Sequence, residues 1–192
     1  MIVIALLLTV IAVLHYFYQP ETFTVVPGVF MTAILAFAFL LPQRVSRGDV
    51  ARVVIRTAMI SFVINLYINQ VFYKSLLKYQ AGSEAAMWIN QNNPQNLPVV
   101  QLTDDVTTPF EFYINGEAKT LSVDQVQHIK GKPYILYGQK NIIDGLAVSG
   151  YDVKPLKDFD KYWISRLKPS FLNKATREKE LVKMEAVIVT PK

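Results

Sequence analysis

Charge is distributed so unevenly along this chain that its two parts need different surroundings. Between Met1 and Gln43 the only formally charged residue is Glu21, and between Thr57 and Tyr73 there is none. Of the 20 Lys/Arg and 15 Asp/Glu, 15 and 13 lie between Lys78 and Lys192. An element of a water-soluble protein keeps a wet face and spreads its charges accordingly. A bilayer removes them from the segments that cross it. The pattern therefore predicts a membrane α-helical part of three transmembrane helices over residues 1–78, followed by a small extracytoplasmic α/β domain over 79–192.

The spans are expected at 2–18, 24–41 and 50–77. The first ends in His15, Tyr16, Phe17 and Tyr18, an aromatic cluster of the kind found at headgroup level, and Gln19-Pro20-Glu21-Thr22 breaks it. It has no basic leader and no small-residue cleavage site, unlike a signal peptide. Pro27 stands in the first turn of the second span, where a missing N–H costs little. Arg52 and Arg56 enter the third span, and Lys74 and Lys78 leave it. Arg44 and Arg47 add to the basic side. The positive-inside rule then puts the Arg-rich loop in the cytoplasm and residues 79–192 outside it. Asn65 and Asn69, followed by Gln70, are amides that want partners in hydrocarbon, from another helix or from a polar cavity.

In the second part, 83–91 reads as a helix, Val99–Leu102 as a buried strand and 122–129 as a short helix capped by Ser122. Phe110–Ile114 reads as a strand turning at Asn115-Gly116 onto Lys119–Leu121. Strands are expected at 133–137 and 184–190, a helix at 141–148, and an interrupted strand over 151–164.

The net charge of +5 comes largely from Arg44, Arg47, Arg52 and Arg56, a local cluster that gives no nucleic-acid face. There is no Cys, so disulfides and thiolate chemistry are excluded. His15 and His128 are too far apart for a shared metal site, and no phosphate loop, GxSxG or HExxH occurs. Asp104-Asp105 and the Asp158/Asp160 pair read as solvated carboxylates. No catalytic residue is assigned. The candidate substrate-binding residues are Glu21, His15 and Tyr18 on one side of the first loop, and Lys74 and Lys78 at the exit of the third span, where a lipid phosphate is within reach.

Three stretches, FYKSLLKYQAGSEAAMWIN (Phe72–Asn90), FEFYI (Phe110–Ile114) and the run from Lys161 to Val189, resemble the C-terminal end of bacterial GT-C type polytopic glycosyltransferases. The branch resembled is that of protein O-mannosyltransferases and the lipid A aminoarabinose transferase. The likeness covers roughly 72–192, and the first two spans only by layout. It implies a segment of a longer inner-membrane enzyme that moves a sugar from a polyprenyl-phosphate donor to a lipid, glycan or protein acceptor on the periplasmic side. Its partners would be membrane lipid, the donor, and N-terminal transmembrane helices missing from this chain. The family's catalytic carboxylate lies in an early outer loop that no position here matches. A divalent metal would assist the full-length enzyme, and no cofactor is expected in this segment. The loop before Pro27 departs from the family in lacking basic residues for the donor phosphate. A small membrane-anchored binding or scaffold protein, and a transporter subunit, are the alternatives.

Overall fold

The computed structural model describes residues 2–20, 25–45, 48–102, 108–149 and 151–191, with the side chains of 2–8, 25–27 and 41–45 outside that description. The chain divides into two compact units. One comprises Met1–Leu77 and Leu167–Glu178, the other Lys78–Arg166 and Lys179–Lys192, so the backbone passes between them three times.

The first unit is helical: α1 (Ile2–Tyr18), α2 (Val25–Val45), α3 (Asp49–Tyr67), a π-helical turn (Ile68–Phe72) and α4 (Tyr73–Leu77). Its small core joins Met31 of α2 to Val63, Tyr67 and Val71. On α3 and the π turn, Ile60, Val63, Tyr67 and Val71 form one buried stripe at helical spacing. The remaining flanks stay apolar yet exposed, including Val53, Val54 and Phe62 on α3 and Phe30, Phe37 and Leu40 on α2.

The expectation of three transmembrane helices is corrected here. Among the described residues one helical run, Asp49–Leu77, is long and apolar enough to cross a bilayer, with mean hydropathy 1.5. The apolar stretches Thr9–Tyr18 and Gly28–Leu40 fall in the 10–17-residue range. Low charge marks a segment as apolar without deciding what covers it. Asn65 and Asn69 also resolve locally: Asn69 Nδ2 donates to Asn65 O (2.9 Å) and Oδ1 (3.0 Å) within the same helix. That puts a side-chain donor on a backbone carbonyl just before the widened turn, a site where π-bulges arise and ladders loosen.

The second unit is a mixed α/β layer structure. It runs α5 (Ala81–Asn92), β1 (Val99–Leu102), α6 (Thr108–Tyr113), β2 (Ala118–Leu121), α7 (Val123–Val126), β3 (Tyr134–Gln139), α8 (Lys140–Val148), β4 (Asp152–Lys161) and β5 (Val182–Thr190). The sheet order is β2-β1-β3-β5-β4, with β2, β1 and β3 parallel and β5 antiparallel to both its neighbours. Side chains alternate between two cores, as the pleat requires. Ile135, Tyr137, Met184 and Ala186 join Ala85 and Ile89 of α5 and Phe110 of α6. Tyr134, Leu136, Val187 and Val189 join Val126 of α7 and Ile143 and Leu146 of α8. Burial on both faces is why these strands read as unbroken apolar runs.

The FEFYI hairpin is a second correction. Phe110 and Ile114 are buried while Phe112 is 78 % exposed and Tyr113 47 %, a helical spacing of four. Phe110 stacks on Tyr137 at 4.7 Å and 3°, which anchors α6 to the sheet. Gly116, at φ +88°, turns the chain into β2, which pairs with β1 in parallel. Ser122 caps α7 through a full capping box with Gln125. Pro155 lies where the register of β4 shifts against β5, on an edge strand that tolerates it.

The Tyr134 hydroxyl is buried with no hydrogen-bond partner among the described residues, and burial pushes the phenol up to about 12. A buried unsatisfied hydroxyl costs about 1–3 kcal/mol. Tyr134→Phe is therefore expected to stabilise the protein by about 1 kcal/mol, read as a rise in the thermal midpoint of the sheet unit by near-UV circular dichroism. A fall would show that the hydroxyl is satisfied.

Candidate functional site

Two clusters gather chemistry-bearing side chains, one in each unit. In the helical unit the cluster is built around the C-terminus of α1. Gln19, at φ +45°, takes the left-handed conformation that ends a helix, and its N–H bonds His15 O at 2.9 Å. A non-glycine residue there costs about 1–2 kcal/mol, so the turn needs support. Arg177 supplies it from 159 positions away: Nη2 donates to Tyr18 O at 2.5 Å. The same guanidinium lies 4.3 Å from the centroid of the Tyr18 ring and donates through Nε to Phe171 O at 3.0 Å. A cation at the last carbonyls of a helix also compensates the negative end of its dipole. Tyr18 further packs on Phe72, at 5.0 Å between centroids, and on Phe171, at 6.5 Å.

One turn earlier, His15 Nδ1 lies 3.1 Å from the Tyr67 hydroxyl, the tautomer deciding which group donates. The structure thus brings His15 and Tyr18 together on one face of α1, against α3 and the π turn. Lys74 is exposed on α4, and Lys78 is exposed at the first position of the sheet unit. Glu21 and the Asp104-Asp105 pair lie outside the described residues. His128 is exposed, with Nδ1 2.7 Å from Asp124 O. Among the described residues no three His, Asp or Glu side chains converge.

In the sheet unit, Asp158 of β4 stands opposite Glu185 of β5. Facing carboxylates repel, and Lys140 bridges them, with Nζ 3.0 Å from Asp158 Oδ1 and 3.6 Å from Glu185 Oε1. Lys140 opens α8, where a cation meets the positive end of the helix dipole, so the two carboxylates also hold it there. Burial raises the Glu185 carboxyl above its ordinary range, with Lys140 opposing. The hydrogen bond to Asp158 raises Lys140. This is ion-pair geometry without a nucleophile. Its one sequence signal was an acid inside the apolar run MEAVIVT. Nothing in the sequence pointed to Arg177.

These interactions have two measurable outcomes. Arg177→Ala is expected to cost about 2–4 kcal/mol, because a charged hydrogen bond and a cation–π interaction disappear together. Limited proteolysis between Leu167 and Glu178 should accelerate, and Arg177→Lys should restore only part of the stability because the forked geometry is gone. Lys140→Met should destabilise at neutral pH. A carboxyl whose folded pKa is raised favours folding at low pH and loses that contribution as pH rises through the folded value. The deficit of Lys140→Met should therefore shrink as pH falls through the carboxylate range, and a pH-independent deficit in melting temperature would contradict the bridge.

Comparison of the chain with protein-family models, with curated proteins and with solved structures returns no match.

Proposed function

We propose that this chain is a bilayer-anchored portion of a glycosyltransferase that takes its sugar from a polyprenyl-phosphate carrier. The observation that carries the anchoring is the run Asp49–Leu77: only 17 % of its apolar window is buried inside the protein. The core helix of a soluble protein buries most of its apolar surface, whereas this one turns it outward, where lipid would satisfy it. Arg52 and Arg56 near its start, with Arg44 and Arg47 just before, outnumber Lys74 and Lys78 at its end. On the positive-inside rule the start is cytoplasmic and the sheet unit extracytoplasmic, at a bacterial inner membrane. The sugar-transfer reading is supported by the resemblance over 72–90, 110–114 and 161–189. This chain contributes no catalytic residue; its sheet unit serves the acceptor side of the reaction.

A second reading, an anchored binding module without catalysis, is favoured by the sheet unit's own two-sided core, which is the construction of a self-contained domain.

The full chain should resist carbonate extraction from membranes. A photoreactive polyprenyl phosphate should then label residues 9–77, and unlabelled carrier should compete. Retention without competed labelling would leave the binding module standing and remove the glycosyltransferase. Release by carbonate would remove both.

A further inference from the structure

The one Asn-Gly pair of the chain, Asn115-Gly116, stands between α6 and β2 and is exposed, as is Glu117 after it. Asn115 N donates to Asn90 Oδ1 and Asn90 Nδ2 donates to Tyr113 O, both at 2.8 Å, so one side chain of α5 clasps the turn from its N-terminal side. The clasp takes the Asn115 N–H and leaves the next one: among the described residues no hydrogen bond uses the Gly116 N–H. Gly116 has φ +88° and open space where a Cβ would stand.

Those are the conditions under which an asparagine side chain reacts with the amide that follows it. The carboxamide is a thermolabile group. Ring closure needs the next backbone nitrogen to be accessible and able to swing onto Cγ, which a side chain on the next residue hinders and a glycine does not. The chain contains its own contrast. Asp144-Gly145 lies within α8, where the helix holds each inner N–H on the carbonyl one turn earlier and fixes the peptide plane. Asn93 precedes Pro94, which has no N–H, and every other asparagine precedes a residue with a side chain.

We infer that Asn115 is a site of spontaneous modification, at which Gly116 N attacks Asn115 Cγ. The N–Cγ bond forms, the Cγ–Nδ2 bond breaks, and ammonia leaves with the proton of the Gly116 amide. Water then opens the cyclic imide at either carbonyl, giving aspartate or isoaspartate in place of asparagine. Either product adds a carboxylate beside Glu117. Isoaspartate also carries the main chain through its side-chain carbon, one methylene longer. Asn90 holds the chain ahead of that methylene, so the extra length falls on residues 116–117 and on β2. β2 has four residues and is an outer strand of the sheet, bonded to β1 alone among the described strands. Such an edge is where local opening costs least. The conversion makes this edge a record of the protein's age, and it is independent of the membrane reading.

The purified full chain would be kept at neutral and at mildly alkaline pH, then digested with pepsin in acid, where the cyclisation does not run. Mass spectrometry with electron-transfer fragmentation would follow each asparagine. Asn115 is expected to react ahead of every other asparagine, at a rate within severalfold of a synthetic peptide of residues 110–120. The reaction should be faster at the higher pH, with isoaspartate in excess over aspartate. Hydrogen exchange over residues 118–121 should quicken in the isoaspartate form and not in Asn115→Asp, which has the charge without the methylene. Asn115→Gln should keep the fold and lose the signal. Asn115 intact while the peptide is converted, another asparagine reacting first, or aspartate formed without isoaspartate would overturn the site. Unchanged exchange in the isoaspartate form would overturn its effect on the sheet edge.

Discussion

A single buried guanidinium organises the helical unit. Arg177 meets the last carbonyl of α1, the face of Tyr18 and the carbonyl of Phe171 at once. No one of these interactions is strong by itself in water, but a charge removed from solvent keeps its worth only while its partners stay in place. Because Arg177 lies between β4 and β5 in the chain, the same guanidinium decides where the connection between two sheet strands must go. The helical unit is completed by a segment that the sheet unit lends it.

Apolar surface makes a second, independent demand. Among the described residues of the helical unit, Val53, Val54, Phe62, Phe37 and Leu40 face outward. About 25 cal/mol per Å² of apolar area is left ungained wherever such surface meets water. The sheet unit, by contrast, closes two cores of its own. The parallel half of the sheet, β2-β1-β3, needs helices on both faces, and α5 and α6 on one side and α7 and α8 on the other provide them.

Much of the sheet unit was legible because both-face burial leaves a plain trace. Val99–Leu102, Pro133–Tyr137 and Met184–Thr190 read as short, largely apolar runs, and the structure places β1, β3 and β5 over them; Ser122 announces α7. FEFYI misled because its four β-prone residues fit alternation as well as a period of four, and the stacking of Phe110 on Tyr137 goes with the helix. In the helical unit, apolar composition was visible but what covers an apolar helix was not, and among the described residues one run qualifies in place of three. Of the candidate site, His15 and Tyr18 were legible as an aromatic helix end. Their partners Tyr67, Phe72, Phe171 and Arg177 were not, because a hydrogen bond across 159 residues leaves no local pattern.

The position of β5 has a consequence for how the chain is made. Of the described strands of this sheet it is the last to be synthesised, yet it lies between β3 and β4. Until it emerges, β3 presents an open row of amides and carbonyls and β4 has no neighbour at all. During translation the sheet must wait as two unjoined parts, with apolar strand edges uncovered. The cell's holding machinery, rather than early local pairing, would have to guard this domain until its final residues leave the ribosome.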